Sequence, residues 1–392
     1  MGKRGNNEGS VFKDKQGRWR GVVTLYNADG SPKKKYFYGK TKREVTEKVN
    51  KMLSDLRSNS YIEPCKITLY SWLCTWLDTY CKNEVRPTTL INYETYVQKH
   101  IKPTIGNIRL CDLNVLMLQQ FYNDRLKNGN LVTVGGLSPK TLRNMHNMLH
   151  KALNQAVFLE LIPKNPTEHA VLPKLNKKER RFFTVEEQRE LQACLPGERI
   201  GMAVLLDLYT GMRQGELLAL TWENVHLDLD GTSYIRVTQA LSRIKNESPD
   251  GTNKTVLCVG VPKTPHSIRT IPLLPDIAKA LAEHQRKQAR YYKENGIIPN
   301  EFVFTSTSGT LIDPRDFQRD FKLLLKRHHI REINVHGIRH TFATRALESG
   351  MSVKALSQIL GHANVGFTMD TYVHLTEDFK AEEIAHLQGF LE

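Results

Sequence analysis

The sequence has little of what marks secreted, disulfide-stabilised or membrane-spanning proteins. Only six of its 392 residues are cysteine, and they form neither a CxxC pair nor a cluster with histidine, which predicts reduced thiols rather than disulfides or a zinc site. No apolar run is long enough to cross a bilayer. The polar, basic residues 1–10 are not followed by the apolar stretch of a secretory signal. We therefore expect a cytoplasmic protein with no membrane attachment.

Nucleotide and calcium motifs are missing as well. Gly39-Lys40-Thr41 resembles the end of a phosphate-binding loop, but Lys34 occupies the position of the first glycine that such a loop requires. The segment 228–231 resembles part of a calcium loop but is better interpreted as a turn before a strand. The sequence therefore predicts no cofactor and no metal.

What the chain has in excess is positive charge. It carries 56 lysine and arginine residues against 41 aspartate and glutamate residues, a formal net charge of +15. Such a balance favours a polyanionic partner. Because the sequence shows no basic amphipathic helix and no lipidation motif to hold it on a membrane, nucleic acid is the better candidate.

Three segments differ in pattern, and the first covers residues 1–58. Short alternating runs at 18–26 and 35–39 flank a turn signal at 27–30, and helical spacing begins at Thr41. These features predict a small three-stranded sheet packed on one helix. Its interleaved basic and aromatic residues favour entry into a DNA groove, although aromatics such as Trp19 can instead pack on the helix.

The second and third segments cover residues 59–165 and 175–392. Apolar residues of the second recur at three- and four-residue intervals, which predicts a helical domain, and a basic stretch at 174–181 is expected to be an exposed linker. The third is predicted to combine helices with a strand-rich stretch at 234–273. The expected fold class is therefore α+β and mostly helical, with a mixed α/β domain at the end.

The third segment holds a concentrated set of reactive side chains. His336, Arg339 and His340 share one face of a predicted helix because their spacing is i, i+3 and i+4. Two histidines four residues apart can bind zinc, but Gly337 stands where such a site needs glutamate, and Arg339 would repel the ion. Donors to an anion are the better interpretation.

Two further motifs add a cation and a nucleophile. Arg213 follows Gly211, which suits the end of a helix, so Arg213 is expected where the next helix begins; alone, it could be a structural ion pair with Glu216. His362 and Tyr372 lie near the end, and a lone tyrosine could equally belong to a core. Cleaving a phosphodiester without hydrolysis needs a nucleophile, donors to the non-bridging oxygens and a proton donor, and this segment has candidates for all three.

Four motifs occur together in an order that resembles one family. They read Thr-Gly-Met-Arg-Gln-Gly-Glu at 210–216, His-Gly-Ile-Arg-His at 336–340, Leu-Gly-His-Ala-Asn at 360–364 and Asp-Thr-Tyr-Val-His at 370–374. The sequence resembles the tyrosine recombinases, the lambda-integrase family, of the phage and conjugative-transposon type. The third segment looks like their catalytic domain, the second like their SAM-like core-binding domain, and the first is similar to an arm-type DNA-binding module.

The resemblance implies a role for each reactive residue. Arg213 and Arg339 would clamp the scissile phosphate, because a guanidinium gives two donors to one phosphate and stays charged. His336 would assist proton transfer and phosphate binding, and His362 would donate a further hydrogen bond. Tyr372 would attack to form a 3′-phosphotyrosine; since a free tyrosine has a pKa of about 10, nearby cations or a base must help to remove its proton.

The family also uses a lysine on a β-hairpin to protonate the leaving 5′-oxygen. Lys263, in the run 261–272, is the match to that lysine. Lys254 is an alternative, and Lys263 could be an ordinary solvated turn residue. The polar insertion at 246–254 could also place the hairpin differently.

The same resemblance implies the function and the partners. It predicts a site-specific recombinase that integrates or excises a mobile element, acts on core and arm sites of double-stranded DNA, and assembles as four protomers around a Holliday junction. An excisionase or a host DNA-bending protein is a possible further partner. The rivals are a type IB topoisomerase and a non-catalytic DNA-binding protein of the same fold; the arm-type module argues against the first, and the full set of catalytic groups argues against the second.

The last residues, 376–392, form an acidic tail on this basic chain. Ile384, Leu387 and Leu391 fall on one helical face and need a protein surface to cover them. The tail could dock on its own catalytic domain. The resemblance favours docking in trans on the neighbouring protomer.

Overall fold

The structure, a computed structural model, describes residues 9–26, 31–57, 66–175, 181–228, 231–246, 255–262, 267–362, 364–366 and 369. Its contacts divide the chain into two compact units, Met1–Asn176 and Lys177–Glu392. In the part of the chain that the structure describes, no helix is long and apolar enough to span a membrane.

The first unit begins with the predicted sheet and helix. Strands β1 (Ser10–Lys13), β2 (Trp19–Tyr26) and β3 (Pro32–Gly39) are antiparallel neighbours in that order. Helix α1 (Lys42–Arg57) follows at once, and Thr41 accepts a hydrogen bond from the backbone N–H of Glu44, as an N-cap does. Its apolar face packs on the sheet, with Trp19 partly buried against it; for this tryptophan, packing on the helix is therefore the correct interpretation.

The rest of the first unit is a helical bundle, as predicted. Side chains of Thr68, Asn114 and Ser138 cap three of its helices by accepting hydrogen bonds from backbone N–H groups. Two helices continue into π-helical turns, at Leu77–Cys81 and Tyr96–Ile101, which the sequence did not indicate. The helices are α2 (Leu69–Trp76), α3 (Pro87–Thr95), α4 (Val115–Asn128) and α5 (Pro139–Phe158).

The second unit surrounds its own apolar core with helices and two small sheets. One sheet has the order β4-β5-β8 and the other is the hairpin β6–β7. These strands lie within the predicted strand-rich stretch except for β4, which precedes it. The strands are β4 (Val225–His226), β5 (Tyr234–Val237), β6 (Ala240–Lys245), β7 (Thr255–Gly260) and β8 (Arg269–Pro272). The helices are α6 (Val185–Cys194), α7 (Gly201–Thr210), α8 (Gln214–Leu218), α9 (Pro275–Glu294), α10 (Pro314–Arg327), α11 (Val335–Glu348) and α12 (Val353–Leu360).

A left-handed glycine ends α7 and sets the direction of the next helix. Gly211 has φ +58° and its N–H donates to the Asp207 carbonyl, the geometry in which glycine is favoured over all other residues. A Cβ at this position would lie 2.4 Å from Cδ1 of Phe342 and 2.9 Å from Cδ2 of Leu360. The prediction that Gly211 ends a helix and that Arg213 begins the next is confirmed.

Gly211→Ala should destabilise the second unit by two effects at once. The left-handed backbone alone costs about 1–2 kcal/mol for a residue with Cβ, and the clash with Phe342 adds to it. Gly350→Ala is the matched control, because Gly350 has φ +83° and open space around it. Urea unfolding of both variants should show the larger loss for Gly211→Ala. Equal losses in the free energy of unfolding would mean that the clash with Phe342 does not contribute to the destabilisation.

Candidate active site

A buried carboxylate joins two arginines in the second unit. Glu216, on α8, has a side chain only 2% exposed. Its two oxygens accept hydrogen bonds from Arg213 Nη1 at 2.8 Å and from Arg269 Nη2 at 2.9 Å. Burial alone would raise the pKa of Glu216, but the charge and hydrogen bond of Arg269, with those of Arg213, hold it below its usual value. The carboxylate is therefore ionised.

Arg213 lies at the start of α8 and is fixed at both ends of its side chain. Its backbone N–H donates to the second oxygen of Glu216 at 3.0 Å, and its Nη2 donates to the Gly361 carbonyl at 3.0 Å. Its side chain is still 37% exposed. The expected ion pair with Glu216 thus exists, and it orients a guanidinium that solvent can reach.

Arg339, on α11, is held by the carboxyl ends of two other helices. Its Nη1 donates to the carbonyl of Gly211, after α7, and its Nη2 donates to the carbonyl of Leu360, the last residue of α12, both at 2.7 Å. Carbonyls at a helix C-terminus lack intrahelical partners and carry partial negative charge, so they favour a cation. The geometry explains how a guanidinium only 3% exposed keeps its charge inside the protein.

His362 completes the contact network around Arg339. Its Nε2 lies 2.8 Å from Arg339 Nη2, and because arginine can only donate, this nitrogen accepts and the ring proton is assigned to Nδ1. Burial, followed by the charges of Arg339, Arg213 and Arg269, lowers the pKa of His362 to about 4. The ring is therefore neutral at neutral pH.

The two histidines of α11 lie at the edge of an open cleft. The rings of His336 and His340 are 4.7 Å apart and cross at 78°, so the predicted shared face exists for these two, whereas Arg339 is buried. The cleft has a volume of about 1490 Å³, and both histidines line it together with three cations, Arg181, Lys322 and Arg331, and one carboxylate, Glu332. Its size and charge suit a polyanion. Within the described residues, no group of three or more His, Cys, Asp or Glu could hold a metal ion.

Two buried ionisable groups near this network, Arg269 and Asp207, were not predicted to belong to it. Arg269, on β8, is 6% exposed and bonds Glu216 and the carbonyls of Ser267 and Ile359. Asp207, on α7, is fully buried, its carboxylate has no hydrogen-bond partner within the described ranges, and burial raises its pKa well above the usual value. A buried arginine on a strand is a weak signal in sequence, because its partner Glu216 lies far away along the chain.

The predicted nucleophile, Tyr372, lies outside the described residues, as do the predicted acid, Lys263, and its rival, Lys254. The structure thus brings Arg213, Arg339 and His362 into one network of contacts, and it places His336 on the same helix as Arg339.

Comparison with known proteins gives two family matches. The sequence model described as "Phage integrase family" matches residues 181–378, which is half of the chain and contains every predicted site residue. The model described as "Phage integrase, N-terminal SAM-like domain" matches residues 68–126, within the helical bundle.

Curated relatives cover nearly the whole chain. A protein named "Tyrosine recombinase XerC-like" from Caldanaerobacter subterraneus subsp. tengcongensis is 28% identical, over 94% of this chain and 95% of the relative. The ICEBs1 integrase of Bacillus subtilis is 22% identical, over 90% of this chain and 91% of the relative.

Solved structures share the fold. The Tn1549 transposon integrase, in complex with transposon right end DNA, aligns with a TM-score of 0.66 at 23% identity and covers 82% of this chain and 99% of its own. A lambda integrase tetramer bound to a Holliday junction aligns with a TM-score of 0.55 at 17% identity and covers 94% and 97%. The recognition of the family from four short motifs and the expected mostly helical α+β class are both confirmed. With half of its length matched by the family's own sequence model, the chain belongs to the phage integrase family of tyrosine recombinases, enzymes that cut and rejoin DNA.

Proposed function

We propose that this chain is the recombinase of a mobile element and that it integrates or excises the element through a 3′-phosphotyrosine formed at Tyr372. The observation that carries the proposal is the convergence of Arg213, Arg339 and His362 in one hydrogen-bonded network. These residues come from distant parts of the sequence, and each offers a donor to an anion. A phosphate of the DNA backbone is the anion that this family cleaves.

The arginines stabilise the charge that develops on the phosphate. Their guanidinium groups are already fixed by Glu216 and by the carbonyls at the helix ends, so little reorganisation is needed when the reaction begins. His362 is neutral and donates from Nδ1 rather than adding a further positive charge. The described side chains thus form a binding site for the phosphate before the DNA arrives.

In the chemical step one bond to phosphorus forms, another breaks, and two protons are transferred. The Tyr372 oxygen attacks phosphorus, the bond from phosphorus to the 5′-oxygen breaks, and the energy of the phosphodiester is kept in the phosphotyrosine for rejoining. We assign the proton of the departing 5′-oxygen to Lys263, with Lys254 as the alternative. His336, at the edge of the cleft, assists in removing the tyrosine proton.

We assign residues 1–58 to arm-site binding, 59–165 to core-site binding and 175–392 to catalysis. The exposed surface of the small sheet supports the first assignment. The Arg20 guanidinium lies 4.0 Å from the ring centre of Tyr36 and 5.7 Å from that of Tyr38, and both tyrosines are more than 40% exposed. A rigid array of aromatic and cationic groups suits contact with phosphates and bases.

Assembly and partners complete the proposal. Four protomers hold two duplexes, as a lambda integrase tetramer does on a Holliday junction, and the acidic tail at 376–392 docks in trans. An excisionase or a host DNA-bending protein sets the direction, and the reaction takes place in the cytoplasm. The family match favours this function over relaxation by a type IB topoisomerase.

Tyr372→Phe should bind DNA like the unaltered chain and form no covalent adduct, because only the attacking oxygen is lost. The measurement is trapping on a nicked suicide substrate carrying the element's own core site, followed by mass mapping of the attached residue. Tyr291→Phe is the control, since Tyr291 is partly exposed and its hydroxyl donates to the Thr307 carbonyl. An adduct mapped to any other tyrosine would refute the assignment.

Arg213→Lys and Arg339→Lys should each slow cleavage far more than they weaken binding. Lysine keeps the charge but loses the bidentate geometry, and the expected loss is on the order of a hundredfold, or about 3 kcal/mol of barrier. Arg327→Lys is the control, because Arg327 does not line the cleft and is engaged with Glu198. Single-turnover cleavage and DNA affinity are measured in parallel with thermal unfolding. Cleavage near the unaltered rate in a folded variant would make that arginine structural.

A further inference from the structure

Two glutamine side chains, joined by a hydrogen bond, lie at the open cleft of the second unit. Gln214, the first residue of α8, donates from Nε2 to the carbonyl of Pro314 at 2.6 Å. Its side-chain oxygen accepts from Nε2 of Gln318, on α10, at 2.7 Å. Both glutamines line the cleft together with the two histidines of α11. The pair therefore faces the same space as the candidate active site.

The carbonyl of Pro314 fixes the orientation of both amides. A carbonyl oxygen only accepts hydrogen bonds, so the atom of Gln214 beside it is the nitrogen, and the oxygen of Gln214 faces Gln318. That oxygen in turn requires the nitrogen of Gln318. Gln318 is exposed, and its own oxygen and second N–H have no hydrogen-bond partner within the described part of the chain. One oriented acceptor and one oriented donor are thus left at the cleft surface.

Helix α10 holds Gln318 on a rigid support. Phe317 and Phe321, which flank it, are 0% and 1% exposed and anchor the helix in the core. Gln318 and Lys322 both line the cleft, and their spacing of four residues places them on one side of the helix. The major groove of B-DNA, about 12 Å wide, admits an α-helix, whereas the minor groove, about 6 Å wide, does not. Gln318 is therefore suited to the major groove.

An amide that offers one donor and one acceptor matches a single base in that groove. Adenine displays the N7 acceptor beside the N6 donor. Guanine displays two acceptors, cytosine displays a donor, and thymine displays an acceptor beside a methyl group. Only adenine can bond both atoms of the amide. Because Gln214 already orients that amide, the contact costs little side-chain entropy.

We propose that Gln318 recognises an adenine of the core site, with Nε2 donating to N7 and Oε1 accepting from N6. Gln214 is the positioning residue that holds the amide of Gln318 in the required orientation. The pair makes this face of α10 a determinant of which DNA sequence is bound. This inference rests on the proposed function, which brings core DNA to the cleft.

Selection of bound duplexes from a randomised library tests the base preference of the full-length chain. We expect the unaltered chain to prefer adenine at one position of a selected motif. Gln318→Ala should lose about tenfold of that preference at that position alone, the weight of one bidentate contact. Gln318→Glu should shift the preference to cytosine, because a carboxylate accepts from the N4 amino group.

A chemical change in the DNA identifies the bonded atom. Replacing the selected adenine by 7-deazaadenine removes the N7 acceptor and keeps the pairing with thymine. It should weaken binding by the unaltered chain about fivefold, as the loss of one hydrogen bond does, and should not affect Gln318→Ala. Gln214→Ala should reduce the preference for adenine, and it should add nothing further when combined with Gln318→Ala.

Two controls separate base recognition from general contact with DNA. Gln285→Ala, an exposed glutamine of α9 outside the lining of the cleft, should leave the selected motif unchanged. Lys322→Ala should weaken binding to all sequences alike, as the loss of a phosphate contact does. An unaltered motif in Gln318→Ala, a loss of affinity spread evenly over all sequences, or a 7-deazaadenine effect that persists in that variant would overturn the proposal. The modified duplex tests it with the unaltered chain, so the result does not depend on the folding of a variant.

Binding and cleavage are measured separately, so the two proposals can fail separately. If suicide substrates trap an adduct at Tyr372 but no position depends on Gln318, this inference fails alone. If adenine recognition depends on Gln318 but no adduct forms, the proposed function fails alone.

Discussion

The buried Glu216 carboxylate is the group on which the geometry of the site depends. It has two oxygens, and three N–H groups from two arginines donate to them. Because it is ionised and almost fully buried, losing one arginine would leave a charge uncompensated inside the protein. The two ion pairs of Glu216 therefore hold the strand that carries Arg269 and the turn that carries Arg213 against the same short helix, α8.

The ends of α7 and α12 impose the second constraint. Arg339 binds carbonyls at both ends, and Arg213 binds the Gly361 carbonyl next to one of them. Glycine at 211 and 361 lets each helix stop in a left-handed conformation, which leaves these carbonyls available. The two arginines proposed to be catalytic thus take their positions from helix termination, and the two glycine-containing motifs at 210–216 and 360–364 encode that termination.

The helix caps and helix ends could be predicted from the sequence, because they depend on residues that are close together along the chain. Thr41 caps a helix at the predicted place, and Gly211 ends a helix as its motif indicated. The candidate residues Arg213, Arg339 and His362 were grouped by family resemblance. In the structure Arg339 contacts His362, and Arg213 donates to the carbonyl of the neighbouring Gly361. Arg269 and Asp207 were not predicted, because their relation to the site depends on packing between distant segments. The π-helical turns also gave no signal, since their apolar spacing fits an ordinary helix.

We expect Glu216 to act through Arg213, by holding its guanidinium in the position that the phosphate requires. Glu216→Gln keeps the shape but offers one acceptor oxygen where the carboxylate offers two, and its amide nitrogen faces arginine donors. The most direct measurement is a double-mutant cycle of Glu216→Gln and Arg213→Lys on single-turnover cleavage of the core site, with DNA affinity measured alongside. We expect both single variants to slow cleavage and the double variant to be little worse than either, a coupling of at least about 1 kcal/mol. Additive losses, or unaltered cleavage by Glu216→Gln, would show that Glu216 does not act through Arg213.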